Sequence, residues 1–178
     1  MMKSMPELGE KCGVFGIYGK GLDVARLTFF GLYALQHRGQ ESSGIATTDG
    51  EQIYCHKKMG LVAQVFAEKD IQKLPGHISV GHNRYSTSKN SSLKHAQPSV
   101  IADVGLTLVH NGNLPSTQLL EEFLAGKNIS YKMLSDSEMI AEAVAVHLRE
   151  GMQLEEAVQK VFPIMTGAFS ILMMDKHS

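Results

Sequence analysis

The 178 residues include 17 lysines and arginines against 18 aspartates and glutamates, a formal net charge of -1, and 43% of the chain is hydrophobic. That supports one well-buried domain. It leaves no basic stripe to neutralise a phosphate backbone, so electrostatics give no support to nucleic-acid binding and a small or neutral ligand fits better. The longest nearly apolar stretch, Leu27 to Leu35, is far short of the roughly 20 residues a membrane span needs.

The N-terminus, MMKSMPELGEK, has a lysine but no apolar segment behind it, so it does not read as a secretory signal and the cytoplasm is the default location. Cys12 and Cys55 are too few for a disulfide scaffold, and a reducing compartment keeps both as thiols. Val14 to Tyr18, an apolar run between glycines, predicts a buried strand beginning almost at Cys12. Leu22 to Gln36 predicts a largely buried helix ending in the polar cluster Gln36-His37-Arg38-Gly39-Gln40. Gly44 to Thr48 and Gln52 to His56 flank Asp49-Gly50, a strong hairpin signal, and Cys55 on the second strand reads as a packed thiol.

Ile78 to Gly81 and Leu106 to His110 predict strands that lead into polar clusters, His82-Asn83-Arg84-Tyr85-Ser86-Thr87 and Asn111-Gly112-Asn113. Loops at strand ends expose side chains to a ligand, so both clusters are candidate site loops. In the second half, Leu119, Leu120, Phe123 and Leu124 predict one helical face, and Met139, Ile140, Ala143, Val144, His147 and Leu148 another. Gly126 and Gly151 lie near the two helix ends. Ser135-Asp136-Ser137-Glu138 matches a capping box. Leu154, Ala157, Val158, Val161 and Phe162 form a third face before Pro163, and Ala168 to Met174 predicts a last strand.

Five stretches carry the chemistry: Cys12-Gly-Val-Phe-Gly-Ile, Leu35-Gln-His-Arg-Gly-Gln-Glu-Ser-Ser-Gly44, Gly81-His-Asn-Arg-Tyr-Ser-Thr87, His110-Asn-Gly-Asn-Leu114 and Ser135-Asp-Ser-Glu138. In this order and spacing they resemble the class II glutamine amidotransferases, whose glutaminase is an N-terminal nucleophile hydrolase. Within the class, Leu35 to Glu41 is similar to the amidotransferases that act with phosphoribosylpyrophosphate in purine synthesis. The hexosamine-forming branch carries a tyrosine and aspartate version of this loop. The short leader before Cys12 and the long loop from Ser86 to Pro98 agree with the phosphoribosylpyrophosphate-dependent branch.

The resemblance implies an α+β fold, a four-layer αββα sandwich with two facing antiparallel sheets. It divides the chain into a removable leader, 1–11, and a class II glutaminase domain, 12–178. That domain is expected to be incomplete, with an exposed sheet edge and marginal stability, and no phosphoribosyltransferase half is recognisable.

The implied nucleophile is Cys12. An ordinary thiol is mostly protonated at neutral pH, and removal of the leader would give Cys12 a free α-amine able to take the proton. Asn111 and Gly112 are implied as oxyanion donors, Arg84 with Thr87 as the partner of the glutamine carboxylate, and Asp136 as the partner of its ammonium. Arg38 and Gly39 resemble the loop that closes over glutamine. Each residue also has a plainer reading: an inert thiol at Cys12, a turn at Asn111-Gly112, a solvated charge at Arg84, a first-turn helix carboxylate at Asp136, and a connecting loop at Arg38-Gly39.

His37, His82 and His110 invite a zinc site, but they lack further ligands at metal spacing and an amine-activated thiol needs no metal. No cofactor is expected in this chain. Magnesium is implied for the phosphoribosyltransferase half, with an iron-sulfur cluster in some family members. The implied partners are glutamine, that missing domain and further copies of the full-length chain, with no nucleic acid and no membrane. Two alternatives stay open: a class II amidotransferase with another acceptor, and an inactive truncated binding module.

Overall fold

The computed structural model describes residues 12–85 and 93–177. The first sheet has the order β1 (Gly13–Tyr18), β4 (Ile78–Arg84), β2 (Ser42–Thr48) and β3 (Ile53–Met59), with every neighbouring pair antiparallel. The second has the order β5 (Ser99–Ile101), β6 (Leu106–Gly112) and β7 (Phe169–Asp175), also antiparallel. Side chains of both sheets meet in one core, where Ala46 and Val80 pack with Val109 and Met174, flanked by Val14, Ile78 and Leu172.

Each sheet covers its other face with helices. Outside the first lie α1 (Val24–Ala34) and two single-turn helices, α2 (Val62–Val65) and α3 (Glu68–Ile71). Leu32, Ile45, Val62 and Phe66 fill that layer. Outside the second lie α4 (Gln118–Gly126), α5 (Asp136–Arg149) and α6 (Leu154–Val161), with Leu106, Leu108, Leu120, Leu124, Ile140 and Val144 all fully buried between them. Helix, sheet, sheet and helix in succession make the expected αββα sandwich. Because β6 is buried on both faces, it reads as a continuous apolar run, Leu106 to Val109, broken only by Thr107.

Local signals explain most of the elements. Asp23 caps α1 by accepting from the Arg26 N–H at 3.0 Å. The capping box of α5 forms as its sequence implies: the Ser135 hydroxyl accepts from Glu138 N–H, and Glu138 Oε2 accepts from Ser135 N–H at 2.7 Å. Gly151, at φ 89°, follows the end of α5 in the left-handed conformation that glycine adopts without penalty.

Five expectations need correction. The strand at Val14 to Tyr18 and the helix at Leu22 to Gln36 are not largely buried: β1 is an edge strand with Tyr18 exposed, and α1 buries one face only, leaving Leu27, Phe30 and Tyr33 exposed. The polar clusters after β4 and β6 are not wholly loops: both strands continue through them, to Arg84 and to Gly112. Hydropathy reports side chains, whereas strand length here follows the backbone ladder, which persists because β4 is flanked by β1 and β2 and because β6 stays paired with β7 as far as Gly112. Leu119, expected on the apolar face of α4, is 45% exposed, the buried face being Leu120 and Leu124. Cys55 lies on β3 as expected, yet β3 is an edge strand and the residue is exposed rather than packed.

Candidate active site

Cys12 immediately precedes β1, and β1 pairs with β4, which ends at Arg84. This pairing brings the thiol to the β4 terminus, where Tyr85 N–H donates to Sγ at 3.4 Å. The Cys12 carbonyl accepts from Arg38 Nε at 3.0 Å, across 26 residues of sequence. Burial pushes the Cys12 thiol above its ordinary value, an effect that the Tyr85 N–H, Arg84 and Arg38 oppose and the Glu41 carboxylate reinforces. With residues 1–11 attached, the nitrogen of Cys12 is an amide and carries no basic lone pair, so the thiol is protonated and lacks a built-in base.

Among the described residues, two groups hold Arg84. Its Nη1 donates to the His95 carbonyl at 2.5 Å, and its Nε lies 3.3 Å from Glu41 Oε2. The Glu41 side chain is only 10% exposed, so the ion pair is largely shielded from water. Gly39 packs against the backbone of the same strand: a Cβ there would lie 2.6 Å from Asn83 O, so no larger residue fits without moving β4. The Arg38-Gly39 segment is therefore docked on Cys12 and on the Arg84 strand rather than projecting freely.

The second sheet contributes the opposite wall. Asn111, 8% exposed, and Gly112 end β6. Gly112 has φ 155°, and a Cβ on it would lie 2.8 Å from Phe169 Cβ and 2.9 Å from Ala168 O. Asp136 opens α5, its Oδ1 accepting from Ser137 N–H at 2.7 Å and its Oδ2 lying 3.7 Å from His110 Nδ1. His82 joins the sheets through Nε2, 3.1 Å from the His110 carbonyl. Its complete burial, with Arg84 and His110 nearby, lowers its pKa to about 3 against the pull of that hydrogen bond, so His82 is neutral and Nε2 is the protonated nitrogen.

A cavity of about 190 Å³ opens between these walls, lined by Cys12, Arg84, Gly112 and Asp136 among others. A thiol, a guanidinium, a carboxylate and a glycine backbone converge on a space suited to an amino-acid-sized ligand. The sequence-derived set is thus largely brought together, with Asn111 adjoining Gly112 and with Arg38 and Gly39 behind Cys12 and Arg84. Thr87 lies outside the described residues.

His82 and His110 are neighbours, whereas His37 is exposed and bonds to Ala34 O. No group of three or more His, Cys, Asp or Glu side chains arranged to hold a metal occurs among the described residues. Reasoning from sequence missed Glu41, His95 and Gln97. Glu41 lay within the Arg38 motif, but its burial against Arg84 depends on β2 pairing with β4. His95 and Gln97 sit in an unpatterned connection and gave no signal.

Comparison with known proteins bears on the family and the fold. A family model described as "Glutamine amidotransferase domain" matches residues 82–178. An amidophosphoribosyltransferase of Synechocystis is 48% identical over 167 residues, covering 92% of this chain and 34% of its own length. One from Bacillus subtilis is 34% identical, covering 98% of this chain and 37% of its own. The solved glutamine phosphoribosylpyrophosphate amidotransferase of B. subtilis, complexed with ADP and GMP, superposes with a TM-score of 0.78 at 34% identity over 92% of this chain and 35% of that one. The chain therefore spans about a third of the length of these relatives. On fold and sequence together, it belongs to the glutamine amidotransferase family.

Proposed function

We propose that this chain is the glutamine-hydrolysing portion of an amidophosphoribosyltransferase, with Cys12 as nucleophile. One observation carries the proposal: Cys12, Arg84, Gly112 and Asp136, from four separate stretches of sequence, line a single cavity. Arg84, with Thr87, takes the α-carboxylate of glutamine, and Asp136 takes its α-ammonium. This leaves the side-chain amide directed at Cys12.

After removal of residues 1–11, the α-amine of Cys12 accepts the thiol proton and the thiolate attacks the amide carbon. Asn111 and Gly112 stabilise the oxyanion, and the transferred proton leaves with ammonia as the tetrahedral species collapses to a thioester. Water then attacks the thioester, releasing glutamate and restoring the thiol. The Arg38-Gly39 segment, seated on the Cys12 carbonyl and on β4, serves in this reading as the part of the glutamine loop that holds the nucleophile in place behind the cavity.

In this reading the ammonia serves formation of phosphoribosylamine from phosphoribosylpyrophosphate, a step of purine synthesis in the cytoplasm. It is carried out by the portion of the longer relatives that this chain does not cover. The same reading assigns magnesium, an iron-sulfur cluster in some members, and assembly into a homo-oligomer to the full-length enzyme rather than to this chain.

The test is to prepare the chain beginning at Met1, the chain beginning at Cys12 and a Cys12→Ala variant of the latter, check each by intact mass, and measure glutamate formed from glutamine. Turnover is expected from the Cys12 form alone. Full activity in protein that retains residues 1–11 would contradict the free-amine mechanism, because an amide nitrogen is not a base. Absence of turnover in the folded Cys12 form would favour a binding module.

A further inference from the structure

The short segment between the two sheets that carries Gln97 has no assigned role. The β5–β6 register pairs Ser99 with Leu108 and Val100 with Thr107. Continued by two residues, it sets position 97 opposite His110. Pro98 has no N–H to give, and the backbone ladder stops at Ser99. The Gln97 side chain takes over: Oε1 accepts from His110 N–H at 2.6 Å, and Nε2 donates to His110 O at 3.2 Å. One carboxamide thus supplies the hydrogen bonds that a neighbouring strand would have made. Nε2 also lies 3.2 Å from Ser137 Oγ, which ties β6 to the first turn of α5.

The segment is itself fixed from the other sheet. Lys57 Nζ donates to the carbonyls of Ala96 at 2.7 Å and Pro98 at 2.8 Å. Gly44 on β2 lies so close that a Cβ would stand 2.0 Å from Gln97 O. The His110 carbonyl receives a second donor, His82 Nε2, from β4. Backbone groups at residue 110 are thereby pinned by both sheets, one residue before Asn111 and two before Gly112.

Along an antiparallel strand the N–H and C=O of a residue point to one side and those of the next residue to the other. With His110 bonded toward Gln97, the groups of Asn111 turn to β7 and the Gly112 N–H returns to the Gln97 side, where the cavity lies. We propose that Gln97 is a positioning residue for the oxyanion donors: it substitutes for a missing strand, sets the rotation of β6 about residue 110, and so aims the Gly112 N–H at the reacting amide. Gln97 lines the cavity, but its carboxamide is engaged with His110 and Ser137, so its role in this account is to position β6. The inference rests on the glutaminase reading of the site.

Because the oxyanion exists only in the transition state, a misaimed donor lowers kcat and leaves KM nearly unchanged. The variants are Gln97→Met, similar in length but without either hydrogen bond, and Gln97→Glu, which retains the acceptor for His110 N–H and loses the donor. Both are made in the chain beginning at Cys12, with two readouts: glutamine kinetics, and residue-resolved amide exchange in the free protein.

For Gln97→Met, kcat is expected to fall about 10- to 100-fold with KM within about threefold, and His110 amide exchange to accelerate about tenfold or more while Ile45 on β2 is unchanged. Gln97→Glu is expected to lie between Gln97→Met and the unsubstituted chain in both readouts, and serves alone should the methionine variant not fold. Faster His110 exchange with unchanged kcat would make the clamp structural only and overturn the proposal, as would unchanged exchange. A parent chain that folds but turns over no glutamine would instead refute the glutaminase reading, and the exchange measurement would still decide whether the clamp exists.

Discussion

Replacing Gly112 by alanine isolates the part of the site that depends on one backbone conformation. At φ 155° Gly112 occupies a region that residues with a Cβ rarely adopt, and holding alanine there costs about 1–3 kcal/mol. The added methyl would meet Ala168 O at 2.9 Å and Phe169 Cβ at 2.8 Å, both on or beside the paired strand β7, so the contact cannot be relieved by a flexible side-chain tip. For a chain of this size each kcal/mol shifts Tm by about 2–4 °C, giving an expected loss of roughly 2–12 °C.

The displacement falls on the proposed oxyanion donor, where losing one such donor reduces kcat by about 10²–10³. Thermal unfolding and glutaminase kinetics on the chain beginning at Cys12 measure both effects, at a temperature where the variant is folded. An alanine variant with unchanged Tm and unchanged kcat would refute the reasoning, since neither strain nor donor placement would then depend on glycine.

Three further outcomes are expected. In the chain that retains residues 1–11, alkylation of Cys12 should reach half its maximal rate above pH 9.0, because burial raises the thiol, and removing the leader should lower that midpoint by placing an ammonium beside the sulfur. His82 has a folded pKa of about 3 against an ordinary value of 6.5, so between these values the unfolded chain binds a proton that the folded chain refuses. Stability should therefore fall as pH drops through this window, by up to about 1.4 kcal/mol per unit from this residue. His82→Gln, which keeps an N–H for His110 O without a titrating ring, should flatten that slope in pH-dependent denaturation. Cys55→Ala should leave glutamine turnover within about twofold, since Cys55 is exposed on an edge strand away from the cavity; a loss comparable to that of Cys12→Ala would point to a two-thiol site.

Much of the architecture was legible because its signals are local. The Asp49-Gly50 hairpin, the Ser135–Glu138 capping box and the 3.6-residue periodicity of α5 depend on residues within a few positions of one another. The elements that escaped are short: β5, α2 and α3 have three or four residues each, too few for any period to register.

The site divides in the same way. Cys12, Arg84, Gly112 and Asp136 were found through motif order, whereas Glu41 and Gln97 act through contacts set by strand register. Nothing in Ala96-Gln97-Pro98 announces that a side chain will complete a ladder 13 residues away, because that role exists only once β5 and β6 have paired.

The central claim is that Cys12 forms a covalent intermediate with glutamine. The most direct measurement is acid quenching of the Cys12-initiated chain during turnover, followed by intact and peptide mass analysis with and without hydroxylamine. A glutamyl adduct confined to the Cys12 peptide and discharged by hydroxylamine is the predicted result. Glutamate production with no adduct detectable at any quench time, or an adduct on Cys55, would contradict it.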